Sequence, residues 1–345
     1  MKKFIFAVIS ILLVSLSAAS CSKGKETLHI YNWADYMNPA VITKFEQKYN
    51  CTVVMNYFDS NEALYAKLKA GASGYDILFP SGYMAKIMYE QKMIKEIDHS
   101  KLKNIKNLDM PFIKKALDPE LKYSVPYMVT YCGIAYNKKK VKNFRPSWSM
   151  YDRTDIAGRM TLLNDLREVI GAALKFNGYK YNTVNDTELA KAKETVIRWK
   201  KNIAKFDVDE AKRGLSSGEF FLIQVYNGDA IQLMSENPDI AFALPEEGTS
   251  ISQDDFVIPE SSKNTDLAYK FIDFLLEPEN AKDNMEFVYY LSPNLEAQKL
   301  MSKEFMTDPA INPPASVLKK CDYLMDLGEN NMKYSELWDK IKSEK

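Results

Sequence analysis

Residues 27–83 read TLHIYNWADYMNPAVITKFEQKYNCTVVMNYFDSNEALYAKLKAGASGYDILFPSGY, and the alternation within them decides the fold class. Thr27 to Tyr31 is a short apolar strand that runs into an aromatic turn, Tyr31-Asn32-Trp33-Ala34-Asp35-Tyr36. Asn38 can cap a helix whose apolar positions are Val41, Ile42 and Phe45. Cys51 to Tyr57 is rich in β-formers. Ser60 opens a second helix through Leu64 and Leu68, and Gly71 stands where a C′ residue is expected. Tyr75 to Phe79 is a third strand, stopped by Pro80. Strand–helix–strand–helix–strand predicts a parallel sheet with helical crossovers. Open α/β sheets bind ligands at the carboxyl edge of their strands, which is where this chain sets flat aromatic rings. Such faces hold cations or apolar bodies, and no catalytic His or Cys stands beside them.

Outward from this block, Tyr123 to Asn137 is a long extended stretch containing Pro126, read as a segment crossing between two lobes. A second α/β block follows. Thr161 to Leu163 ends a strand and Asp165 begins a helix. A long helix is predicted over Asp186 to Phe206, with Leu189, Ala192, Val196, Trp199 and Ile203 at helical spacing. Phe220 to Tyr226 is an apolar strand closed by an Asn227-Gly228-Asp229 turn, and Ile240 to Leu244 is another strand. Phe256 to Pro259 reads as a return strand. The helix Thr265 to Leu276 is ended by Pro278, and a last helix surrounds Leu337, Trp338 and Ile341. Two α/β blocks with crossing segments imply two lobes and a cleft, a common place for small ligands.

Met1-Lys2-Lys3, the apolar run Phe4 to Leu16 and Ala18-Ala19-Ser20 before Cys21 predict an export signal. A Cys directly after the small residues predicts lipidation at Cys21, with Ser22 to Glu26 as a polar tether. The full chain carries 46 basic and 46 acidic residues; loss of Lys2 and Lys3 leaves a net charge of −2. That balance excludes a nucleic-acid footprint. Cys51, Cys132 and Cys321 are odd in number and widely spaced, so they read as buried thiols rather than a disulfide framework or zinc knuckle, with one disulfide as the alternative in an oxidising compartment. His29 and His99 have no nucleophile motif around them, and no phosphate-loop, dinucleotide or zinc-protease motif occurs. No catalytic residue, metal or cofactor is expected.

The remaining chemistry is aromatic and acidic, at strand-to-helix edges: Trp33, Tyr36, Ser81, Tyr83, Asp165, Glu168, Tyr226, Asp229, Asp254 and Tyr290. Each has a second reading. Asp165 with Glu168 matches a D-x-x-E capping box, and Ser81 can cap the next helix. Trp33, Tyr36 and Tyr290 can face the core, and Asp229 can serve a turn.

Taken together, these residues resemble the bacterial periplasmic spermidine/putrescine-binding proteins, the capture component of polyamine ABC importers. The matching blocks are YNWxxY at Tyr31–Tyr36, SNExxYAKL at Ser60–Leu68, YDILFPSxY at Tyr75–Tyr83 and YSVPY at Tyr123–Tyr127. DLREV at Asp165–Val169, YNGDA at Tyr226–Ala230, PEEG at Pro245–Gly248 and SPNLEAQKL at Ser292–Leu300 complete them. The resemblance implies an α/β, two-lobed periplasmic binding protein fold with hinge-linked Rossmann-like lobes and a central ligand cleft. Its lobes are expected at 27–130 plus 254–298 and at 131–253 plus 299–345. It implies a polyamine ligand between aromatic walls Trp33, Tyr36, Tyr83, Tyr226 and Tyr290. Asp165, Glu168 and Asp254 would pair with ammonium groups, and Ser81 would add a polar contact. It also implies an extracytoplasmic monomer, lipid-anchored to a membrane, that serves permease subunits with a cytoplasmic ATPase. The chain departs from the family pattern at Ser252 (an aromatic), Leu324 (a Gln), Ala34 (a small polar residue) and Tyr226 (a Trp), and Asp255 competes with Asp254 for the carboxylate position. Those departures leave open another amine or an amino-acid derivative as ligand. A surface lipoprotein with a contact role is the alternative from another class.

Overall fold

The computed structural model describes residues 25–344. The export signal, Cys21 and the first three tether residues, Ser22 to Gly24, lie outside the described residues. Strand β1 (Thr27–Trp33) pairs in parallel with β2 (Thr52–Phe58) and β3 (Ile77–Leu78), giving the order β2-β1-β3. This is the parallel sheet the opening block predicts. The crossovers are α1 (Pro39–Tyr49) and α2 (Asn61–Lys69). Asn38 caps α1 through its side chain, with Pro39 at the first turn, where a missing N–H costs nothing. Ser60 caps α2. At the other end Gly71 takes φ +93°, and its N–H and that of Ala72 bond back to Leu68 and Lys67, a Schellman stop. Pro80 and Ser81 then lead into α3 (Gly82–Glu90).

The second sheet has seven strands: β4 (Val125–Asn137), β5 (Met160–Leu162), β6 (Ile203–Phe206), β7 (Leu222–Tyr226), β8 (Ile240–Ala243), β9 (Ser250–Phe256) and β10 (Asp322–Tyr323). Their order is β10-β9-β4-β7-β5-β6, with β8 also on β4. The long strand β4 is the crossing segment. Its first half pairs with β9, and its second half pairs with β7 and β8. β9 in turn touches the first sheet, through antiparallel bridges Leu78–Val257 and Ser81–Asp254. Two large cores result. One joins Leu28, Phe45 and Ile77 to Phe256, Phe271 and Met285; the other joins Ile134, Trp148 and Val169 to Trp199 and Trp338.

Helices α4 (Leu166–Phe176), α5 (Asp186–Lys200), α6 (Asp209–Ser217), α7 (Asn227–Glu236), α8 (Thr265–Leu275), α9 (Pro278–Val288) and α10 (Asn331–Ser343) cover the sheets. Four local expectations change. The helix predicted to Phe206 stops at Lys200, and Ile203 starts β6, where parallel pairing with β5 overrides the local helical spacing. Asn227-Gly228-Asp229 is the first turn of α7, not a turn after β7. The return strand covers 250–256 rather than 256–259. Pro278 begins α9 at its first turn instead of only ending α8. Cys51 and Cys132 are buried thiols, while Cys321 is half-buried and equally free. Among the described residues, no helix is long and apolar enough to cross a membrane.

Candidate ligand-binding site

The carboxyl ends of β1, β2 and β3 face those of β5, β6 and β7 across one cavity. The first sheet supplies Trp33, Asp35, Tyr36, Phe58, Asp59 and Ser81. The second supplies Leu163, Asp165, Val208, Asp209, Lys212, Tyr226, Asp229 and Gln232. The strands that join them supply Thr130, Ser252 and Asp254, with Tyr290 following α9. Two parallel edges thus make one site, as the rule for open α/β sheets requires.

Asp254 is the best-defined group. It is 6% exposed and accepts hydrogen bonds from the Tyr36 and Ser81 hydroxyls, each at 2.7 Å. Burial pushes its carboxyl up to about 6; Asp165 adds to this, while the two hydroxyls oppose it. Ser81 is itself fixed by Asn61, whose side chain takes the Ser81 N–H at 3.0 Å. Strand alternation settles the choice between the neighbouring acids. Asp254 and Ser252 face the cavity, whereas Asp255 points to the other face, against Gly82 and Gln253. Asp255, buried and pushed up to about 8, is a satisfied partner of Gln253 outside the cavity wall.

Asp165 caps α4, accepting from the N–H groups of Arg167 and Glu168 at 2.8 and 3.1 Å. Its remaining oxygen faces the Tyr226 hydroxyl at 3.3 Å. Burial raises its pKa, against the helix N–H groups and Arg167, which favour the charged form. Cap and site are therefore the same residue, and the two readings of its spacing are compatible.

The rings enclose these acids. Trp33 Nε1–H donates to the Phe79 carbonyl at 2.8 Å, and its ring packs 4.3 Å from Phe58, so its position is fixed from behind. Tyr36 meets Tyr290 edge-on at 5.5 Å. Gly228 makes room for Tyr290, since a Cβ there would lie 2.6 Å from its Cζ.

Seven of the nine expected ligand residues thus share the cavity: Trp33, Tyr36, Ser81, Asp165, Tyr226, Asp254 and Tyr290. Tyr83 and Glu168 do not line it. The Glu168 carboxylate is fully buried and accepts from Tyr181 at 2.6 Å and from Ser250 at 2.7 Å. Tyr181 reaches it by packing across Gly171, where a Cβ would lie 2.0 Å from the ring. Tyr83 donates to Glu62 at 3.2 Å, and its ring faces the Arg167 guanidinium at 5.1 Å. Leu324 is buried away from the cavity. Sequence reasoning missed Asp35, Asp59, Asp209, Lys212 and Gln232. Asp35 stood inside the quoted aromatic turn and was the one with a visible signal.

With five aromatic rings and two buried carboxylates lining it, the cavity can hold a flexible cationic chain. It has no nucleophile–base pair. The family model for bacterial extracellular solute-binding proteins matches residues 40–313. The spermidine/putrescine-binding periplasmic protein of Escherichia coli (strain K12) is 34% identical over 334 residues, covering 96% of this chain and 96% of that protein. The solved TpPotD lipoprotein of Treponema pallidum is similar with a TM-score of 0.82 and 34% identity, over 92% of this chain and 99% of that one. The spermidine/putrescine ABC transporter substrate-binding protein of Streptococcus pneumoniae gives a TM-score of 0.77 and 33% identity, over 92% of this chain and 99% of that one. In sequence and in fold, the chain belongs to the bacterial extracellular solute-binding protein family, and it is a binding protein rather than an enzyme.

Proposed function

We propose that the protein captures a small polyamine of the putrescine–spermidine class outside the cytoplasm and delivers it to an ABC permease with its ATPase. The observation that carries this reading is the buried Asp254, set among Tyr36, Trp33 and Tyr290 and opposite Asp165. Burying a carboxylate without a counter-charge costs several kcal/mol, so such a site calls for a cation. Aromatic walls contact methylenes and attract ammonium groups by about 0.5–2 kcal/mol each. The cavity-lining Lys212 is engaged by Asp229 and Asp209, so it offers little to a ligand carboxylate. That favours an amine over an amino-acid derivative.

In this reading Trp33, Tyr36, Ser81, Asp165, Tyr226, Asp254 and Tyr290 contact the ligand, and Glu168 and Tyr83 brace the wall. We place the lobes at 27–130 plus 254–298 and at 131–253 plus 299–345, a division that the two large cores follow except at Met301, Phe305 and Met306, which pack with the first. The A-A-S-C sequence at Ala18–Cys21, and the lipoprotein among the relatives, support a lipid anchor. Calorimetry with putrescine, cadaverine, spermidine and spermine, on protein stripped of ligand by unfolding and refolding, tests the proposal. Folded protein that gives no heat with any of the four would refute it.

A further inference from the structure

Lys212 makes no ligand contact in the reading above, yet its side chain is only 16% exposed and lies on the cavity wall. α6 carries it to 3.3 Å from Asp229 Oδ1 and 3.5 Å from Asp209 Oδ1. Asp35, Asp209, Lys212, Asp229 and Gln232 line both the central cavity and an outer groove that continues past Arg213 to Glu236. Lys212 therefore stands at the junction of the two. A lysine side chain is four methylenes ending in an ammonium group, the chemistry of one end of a polyamine.

We propose that Lys212 is a specificity-determining residue: a tethered ammonium that occupies the site Asp229 and Asp209 would otherwise offer to the outermost amine of a longer ligand. The cavity then takes a diamine between Asp254 and Asp165, and a triamine meets a like charge where its third nitrogen would lie. Like charges at a few ångströms disfavour the wrong ligand more than they alter the right one. The alternative, that Lys212 only ties α6 to α7, predicts lower stability when it is replaced and no change in ligand preference.

This inference rests on the polyamine reading. The test compares putrescine and spermidine by calorimetry on the mature chain, for wild type, Lys212→Met, Lys212→Arg and the Lys212→Met/Asp229→Asn double variant. Lys212→Met should raise spermidine affinity relative to putrescine by about tenfold or more, as one freed ion pair between close charges allows. Lys212→Arg should keep the wild-type ratio, and Asp229→Asn should cancel the gain. If Lys212→Met fails to fold, Lys212→Gln carries the same comparison. An unchanged ratio in the neutral variant, or a gain that survives Asp229→Asn, overturns the inference while polyamine binding stands. Folded wild type that binds neither amine overturns the polyamine reading, and this inference with it.

Discussion

Asp254→Asn should weaken polyamine binding and, in the same molecule, make the ligand-free protein more stable at neutral pH. Burial moves the Asp254 pKa from 3.8 to about 6. A raised carboxylate pKa means the folded state binds the proton more tightly than the unfolded state. Its penalty is therefore absent below about pH 4, grows through the window up to about 6, and is complete above it. A shift of roughly two units corresponds to about 3 kcal/mol. Asparagine carries no such penalty, but it has one acceptor oxygen where the carboxylate serves both the Tyr36 and Ser81 hydroxyls. One hydroxyl must turn and accept from the amide instead, which offsets about 1 kcal/mol. The net expectation is a gain of about 2 kcal/mol at pH 7.5 that turns into a loss of about 1 kcal/mol near pH 4, where the penalty is gone and the hydroxyl offset remains. Urea unfolding of both proteins at the two pH values reads this directly. Calorimetry with putrescine should show a loss of about 2–5 kcal/mol, the usual cost of removing one partner of a buried charge pair. A variant that is less stable than wild type at pH 7.5, or that binds putrescine within threefold of wild type, would refute the argument.

Affinity should also depend on pH: protonated Asp254 cannot pair with an ammonium group, so binding at pH 5 should be about tenfold weaker than on a plateau above pH 7. A flat profile would show that no raised carboxylate takes part. Trp148, Trp199 and Trp338 are buried in the second core, so a ligand-induced change in tryptophan fluorescence should come from Trp33. Trp33→Phe should abolish that signal and cost no more than about 1 kcal/mol of affinity, because a ring remains. A signal that survives the change would place the ligand elsewhere. Gly228→Ala should lower stability by about 1–3 kcal/mol, the usual cost of overpacking, and weaken binding as well. The reason is a Cβ 2.2 Å from the Val288 carbonyl and 2.6 Å from the Tyr290 ring. Thermal melts and calorimetry check both effects, and a variant unchanged in stability would contradict the packing.

The opening sheet was legible because its signals are local. Asn38, Ser60 and Gly71 each close a backbone that can be satisfied within three or four residues. The errors fell where local patterns are degenerate. Ile203 and Phe206 keep a helical spacing, and pairing with β5, a contact from about 40 residues away, overrides it. Pro278 reads as a stop, yet the same fixed φ suits the first turn of α9. Asp165 and Asp254 stand at strand edges, as their sequence context implies, and both line the cavity. Glu168 stood one helical turn from Asp165 but is held by Tyr181 and Ser250, contacts that join segments up to 82 residues apart. Lys212 was invisible for the converse reason. Its surroundings, Asp209-Glu210-Ala211-Lys212-Arg213, read as a solvated helix face, and only α7 and Asp35 across the cavity make it part of a wall.

The charge on that wall bears on why capture is selective. Six of the lining residues are Asp and one is Lys. The most buried of them, Asp165 and Asp254, are held by different parts of the fold. Asp254 is gripped by Tyr36 and Ser81 at the edge of the first sheet, and Asp165 is the cap of a helix on the second. A monoamine neutralises one and leaves the other desolvated, which keeps most of the cost in place. A diamine neutralises both and, in doing so, ties groups from the two sheets to one molecule. Its binding therefore adds directly to the stability of the whole, by about 2.7 kcal/mol at a ligand concentration 100 times Kd. The same burial that raises the pKa of Asp254 thus sets the ligand requirement: separated positive charges on an apolar chain, presented to both lobes at once.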